Sequence, residues 1–446
     1  MKKIISKLMG GVLLFSLSMS LTSCEDILGE WSRPTPNPVT PGGNVTPGGG
    51  STINATAIDL NQTMKVIKLG GDALTITATA TPTDATLTWE SSDEAVATVT
   101  NGVVTPKSLG IATITAKSGD VKATCQVFVG NEVNLSSSAY EAKDYDILKG
   151  DMGANQLTIP AGKHVALDGL TINDNNIKCS GTATIYLTDG STNTVTAPNF
   201  KAGIQIGGTG TLTINAETAG TGQLNATGGY DAAGIGTEYA WAADVVGGNI
   251  TINGGVITAI GKGDFRGAAG IGTGGASTGY KNKCGAITIN GGRVTATGGY
   301  GATNDIGGAG IGTGGAGAYS GSATNECGAI TINGGWVNAT GAKRAAGIGT
   351  GTSYANTISD IAKNTCGAIT IKANVTRVTA TKGDDSPNII GYGYNSGGTQ
   401  TCGTITFGTA AVFNGSAWSP ATMVNGTYGG LELSTSGNTW ILKPSN

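Results

Sequence analysis

CGAITINGGRVTAT, residues 284–297, holds two short phrases in which apolar and polar residues alternate: Ile287-Thr288-Ile289, then Val294-Thr295-Ala296-Thr297. A period of two marks β-strands with one face turned to a core. Between the phrases, Asn290-Gly291-Gly292 supplies residues that accept the positive φ of a tight turn. The first phrase recurs as NITING, AITING, AITIKA and GTITFG between Asn249 and Gly408. Aligned at Thr209, Gly247, Cys284, Cys327, Cys366 and Cys402, the copies lie 38, 37, 43, 39 and 36 residues apart. Such a period signals stacked repeats.

The columns of this alignment predict which side chains meet. Leu212, Ile250, Ile287, Ile330, Ile369 and Ile405 form one inward column, and Ile214, Ile252, Ile289, Ile332, Ile371 and Phe407 the next, with a Thr column between them facing out. The second phrase adds inward Leu224, Ile257, Val294, Val337 and Val378, together with Ala226, Ala259, Ala296, Ala339 and Ala380. Bulky residues set against small ones suit layered packing. A third phrase, AGIGT, puts Ile235, Ile271, Ile311 and Ile348 inward and leaves glycines facing out. A strip without side chains is exposed backbone, a ligand groove, or a bed covered by the insertions that follow it.

Those insertions, at 238–246, 275–283, 315–326 and 352–365, together with shorter ones before the glycine phrase at 228–232, 261–268, 298–308 and 341–345, carry most of the aromatic and charged residues of the repeats. Insertions in stacked repeats collect on one side, often the binding side. Aromatic rings suit the faces of sugars, and carboxylates accept from sugar hydroxyls. The candidate ligand-binding residues are therefore Tyr230, Asp231, Tyr239, Trp241, Asp264, Tyr280, Tyr300, Asp305, Tyr319 and Tyr354; the alternative is that these side chains only anchor the loops.

Composition bounds the rest. The chain has 446 residues, 76 of them Gly and 12% charged, with a net charge of -3. Removal of Lys2, Lys3 and Lys7 with residues 1–23 takes the charge from -3 to -6, which disfavours nucleic acid as a partner. The single histidine, His164, leaves no zinc cluster and no Ser-His-Asp arrangement in the repeats, so neither a catalytic residue nor a cofactor is expected. Cys284, Cys327, Cys366 and Cys402 open four successive copies and would stack about 4.8 Å apart. They read as buried thiols, with disulfides or a metal site as alternatives.

The N-terminus has Lys2, Lys3 and Lys7, an apolar run and Leu21-Thr22-Ser23 before Cys24. This resembles a bacterial lipoprotein signal peptide, which implies lipidation of Cys24. Glu25 and Asp26 resemble the export signal of surface lipoproteins of Bacteroidota, implying an outer-membrane protein held by its lipid and exposed at the cell surface. Residues 34–51 are too rich in Pro and Gly to form a core and read as a tether.

Residues 55–130 contain Trp89, Ser91-Ser92-Asp93, Val96-Ala97-Thr98-Val99, Gly102, Gly110 and Ala112-Thr113-Ile114-Thr115 among short alternating strands. This segment resembles the bacterial Ig-like group 2 family, implying a small sandwich with Trp89 in its core and a spacer role. The expected organisation is a signal peptide (1–23), a tether (24–54), an Ig-like domain (55–130), lead-in and capping coils (131–208), regular repeats (209–407) and a C-terminal cap (408–446). The expected fold is all-β, an Ig-like β-sandwich followed by a right-handed parallel β-helix that resembles carbohydrate-binding and adhesin β-helix proteins. The expected function is non-enzymatic binding of extracellular polysaccharide or host glycan. The alternatives are a structural stalk with a protein partner and, less favoured without the motifs of pectate-lyase-like enzymes, a polysaccharide-degrading enzyme.

Overall fold

The computed structural model describes residues 53–218, 220–413 and 423–445; the signal segment, Cys24 and nearly all of the tether lie outside them. The chain is all-β, and the one helical turn among the described residues is Thr303–Asp305. In the N-terminal sandwich, Gly110–Ser118 pairs antiparallel with Thr88–Ser91 on one side and with the first half of Val121–Leu135 on the other. Ile76, Val104, Ile114, Cys125 and Val127 fill its core. Trp89 is only partly buried, bridging this cluster and a second one around Ile58, Ala80 and Ala116. Gly102 turns at φ 80, where a Cβ would sit 2.3 Å from the carbonyl oxygen of Ile76 and 3.1 Å from the Trp89 ring. Only glycine fits there.

Val121–Leu135 does not stop at the sandwich. Its second half, Asn131–Leu135, pairs in parallel with Asp146–Gly150 and so starts the stack that follows. From there three parallel ladders run through the chain. The first continues through Lys163–Leu167, Ala183–Leu187 and Leu212–Ile214 to the Ile-Thr-Ile phrases, ending at Ile405–Phe407. The second joins Thr192–Thr196, Gln223–Thr227, Val256–Ile260, Arg293–Thr297, Trp336–Thr340 and Arg377–Thr381. The third starts at Tyr140–Glu141 and ends at Ile390–Gly391. Both inward columns of the first ladder and both of the second are buried from Leu212 onward. Inward residues pair with like across each rung, so every rung offers the same core surface to the next. At the turn, Asn253, Asn290 and Asn333 each donate a side-chain amide to the Asn one rung before, at 2.7, 2.7 and 2.8 Å.

The insertions are not irregular loops, and this corrects the sequence reading. Each runs out and back as two more strands that stack on those of its neighbours. Ala240, Ala276 and Ala316 bridge, continuing into Ala316–Ala318, Ser353–Ala355 and Asn395–Ser396. The returning strands Val245–Val246, Lys281–Cys284, Ser322–Cys327, Ile361–Cys366 and Thr399–Cys402 form a fifth parallel ladder. Small residues let the outgoing and returning strands approach, with Ala316, Ala318, Ala323 and Ala362 forming a separate core. Buried Asn282, Asn325 and Asn364 stack along its inner side.

The fifth ladder closes on Cys284, Cys327, Cys366 and Cys402, all free, buried and part of the main core. Burial lifts the Cys284 thiol well above its ordinary range; for Cys366 the flanking Cys327 and Cys402 act before burial does. At the far end, Leu431–Ser436 and Thr439–Pro444 form a hairpin that pairs antiparallel with Arg377–Thr381. Trp440 packs edge-on against Phe407 at 6.2 Å. A turn to antiparallel pairing ends the parallel stack and covers an otherwise open edge.

Candidate functional site

The stack of insertions starts abruptly. The coil that includes Ile204–Ile206 passes straight to Thr211–Ala216 with no insertion, so the insertion at 238–246 is the first rung of its ladders and has no rung before it. A step of this kind leaves side chains uncovered. Beside it lies a cleft of about 320 Å³ lined by Asn199, Phe200, Lys201, Glu238, Tyr239 and Trp241. Phe200 lies 5.6 Å from Tyr239 and 5.7 Å from Trp241, both tilted. The backbone fixes Phe200 against Tyr239. Phe200 N–H donates to the Tyr230 carbonyl at 3.0 Å, and Tyr239 N–H donates to the Phe200 carbonyl at 3.1 Å.

The three rings play different parts. Tyr239 is 8% exposed and Trp241 55%, so Tyr239 forms the floor and Trp241 the wall. Burial raises the Tyr239 hydroxyl above its usual range, against a hydrogen bond with Ser277. Lys201 Nζ meets Glu238 Oε2 at 2.5 Å on the rim. Rings with a hydrogen-bonding rim match an amphipathic ring such as a pyranose.

The remaining candidates divide. Asp231 is fully buried and accepts from the backbone amides of Asp264, Phe265 and Arg266 at 2.8, 3.0 and 2.8 Å. Its carboxylate is used up inside the protein, which contradicts a ligand-binding role for Asp231. Tyr230 is exposed near the cleft. Asp264 is exposed on its loop, and Tyr280 is half-buried in the turn before Lys281–Cys284.

Tyr300, Asp305, Tyr319 and Tyr354 join a network further along the stack. The Tyr300 hydroxyl donates to Asp305, whose carboxylate also meets Lys343 at 3.0 Å and Arg344 at 3.4 Å. The Tyr300 hydrogen bond, followed by that of Lys343, holds the Asp305 carboxyl below its ordinary range. Arg266 lies over the Tyr319 ring at 4.6 Å, and Tyr319 packs on Tyr354 at 5.6 Å. These groups tie successive rungs together. Of the ten candidates, Tyr239 and Trp241 are the two that share the cleft.

The glycine strip is covered. Gly234, Gly236, Gly270, Gly272, Gly310, Gly312, Gly347 and Gly349 are all buried. Thr237, Thr273, Thr313 and Thr350 follow them, and their hydroxyls accept the amides of Gly274, Gly314, Gly351 and Gly393 at 2.8–3.0 Å. The strip is the seam where the insertions join the stack. Phe200, Lys201 and Glu238 were not singled out from sequence; the cue was the missing insertion after Ile206, which exposes the rung carrying them.

Residues 54–128 match the family model of the bacterial Ig-like domain (group 2). The chain therefore carries such a domain at its N-terminal end. No curated protein matches the chain.

Proposed function

We propose that this chain is a surface-displayed, lipid-anchored protein that binds extracellular polysaccharide or host glycan without transforming it. In this reading, Cys24 carries the anchor on an outer membrane and the Ig-like domain is a spacer. The stack is a right-handed parallel β-helix, supported by parallel ladders whose rungs recur every 36 to 43 residues and by the usual hand of parallel crossovers. The observation that carries the binding role is the Phe200, Tyr239 and Trp241 cleft, an aromatic surface left open where the insertion ladders begin. Aromatic contacts of this kind contribute about 0.5–1.5 kcal/mol each beyond the area they bury.

A glycan array of plant, microbial and mucin glycans tests the reading. Binding to at least one class is expected, weakened about tenfold in Trp241→Ala with an unchanged melting temperature. An array without signal sinks it in favour of a stalk whose partner is a protein. Release of reducing ends or unsaturated products from a bound glycan would replace binding with catalysis.

A further inference from the structure

On the second ladder, Arg293, Trp336 and Arg377 are paired across three successive rungs, all pointing away from the core. The Arg293 guanidinium lies 4.8 Å from the centre of the indole and that of Arg377 lies 5.8 Å from it. The indole thus separates two cations that are two rungs, or about 9.6 Å, apart along the sheet. We propose that this triad is an anion-binding strip for the carboxylates or sulfates of an acidic polysaccharide.

Charge is the first argument. Among the described residues no carboxylate pairs with either guanidinium. Two unneutralised cations on a chain with a net charge of -3 mark a local reversal of potential. Stacking on an indole occupies the guanidinium face and leaves its N–H edge free to grip an oxyanion.

Shape is the second argument. The triad lines an open groove of about 240 Å³ together with Thr295, Asn338 and Thr379, the next outward column on the same rungs. Arg377 Nε donates to Thr379 Oγ1 at 3.2 Å, which fixes one fork. Hydroxyls and an amide beside spaced cations fit a chain that alternates hydroxyls with acidic groups. A nucleic acid would bring far denser charge to an acidic protein. Earlier rungs have Gln223 and Val256 in this column, so the strip is confined to the late rungs and is separate from the Trp241 cleft.

Calorimetric titration of the full chain with polygalacturonate, heparin and neutral dextran tests the strip. The acidic polymers are expected to bind, more weakly as salt rises, and dextran is not expected to bind at this strip. Binding of polygalacturonate alone assigns carboxylates, of heparin alone sulfates, and of both an unselective oxyanion site. Arg293→Gln with Arg377→Gln should weaken the acidic polymers about tenfold or more, while the corresponding Lys pair keeps part of the affinity. Trp241→Ala should leave this binding unchanged, which separates failure here from failure of the cleft. If the Gln pair melts lower than the wild type, Asn338→Glu decides the matter, since it keeps both arginines and sets a like charge in the groove. The proposal is overturned if neither acidic polymer binds at low salt, or if the Gln pair or Asn338→Glu binds them undiminished.

Discussion

Asp231 shows how a residue of plausible chemistry is withdrawn by burial. Desolvation lifts its carboxyl from 3.8 to about 6, against the three backbone amides and Arg266, which favour the charged form. A folded pKa above the unfolded one means that the folded state holds the proton more tightly. The stability this contributes is fully present below about pH 3.8 and is lost as pH rises through about 6. Asp231→Asn keeps an acceptor for the amides and cannot titrate. The wild type is therefore expected to gain on Asp231→Asn by up to about 2–3 kcal/mol between pH 7 and pH 4. Thermal melts of both proteins across that range check it, and a constant difference would mean that the amides offset the desolvation. Sequence gave no warning of this, because Asp231 and the exposed Asp264 look alike in a polar loop. Only the fold decides which of them turns inward.

At the scale of elements, legibility followed side-chain size. The first two ladders could be read because Ile, Val and Thr alternate with period two. The outgoing and returning insertion strands could not, since Ala, Ser, Gly and Asn carry little hydrophobic pattern and the segments vary in length. The glycine seam is visible in the sequence, and of its three readings the buried glycines fit the bed covered by the insertions. Parity correctly turned Ile271 inward, yet the other face meets a second layer of the protein and not solvent. Gly272 takes φ +136, and a Cβ there would sit 1.9 Å from the carbonyl oxygen of Gly312. Both the backbone strain and the clash fall on the seam. Gly272→Ala should cost about 3 kcal/mol or more. Gly279, in a turn at φ +89 with open space where a Cβ would lie, should cost only about 1 kcal/mol as Ala. Chemical denaturation of the two variants makes the comparison, and equal losses would argue that the seam can open to admit a methyl group.

For the whole molecule, the consequential feature is the joint between sandwich and stack, which runs inside one strand. Phe128 packs on Tyr145 at 5.7 Å and on Tyr186 at 5.1 Å, within a cluster that also holds Met64, Val66, Ile147 and Ala166. Met64–Lys68 pairs with Gln126–Gly130 and meets the stack at Glu217 and Thr218. Glu217 is the polar tie. Its side chain is 2% exposed and accepts from Val66 N–H at 2.7 Å, Asp189 N–H at 2.8 Å and Lys65 Nζ at 2.7 Å. A joint built this way transmits orientation to the stack instead of letting it swing. Glu217→Ala leaves two amides and an ammonium without that acceptor, and removing one partner of such a buried set costs about 3 kcal/mol. Hydrogen exchange should then quicken at Val66 and Asp189, while the third ladder around Ile271 and Ile311 keeps its protection. The shared strand and the Phe128 cluster should hold the two parts together, so a single unfolding transition is expected to persist. Two separate transitions in the variant would mean that the Glu217 carboxylate, and not the continuous strand, couples the sandwich to the stack.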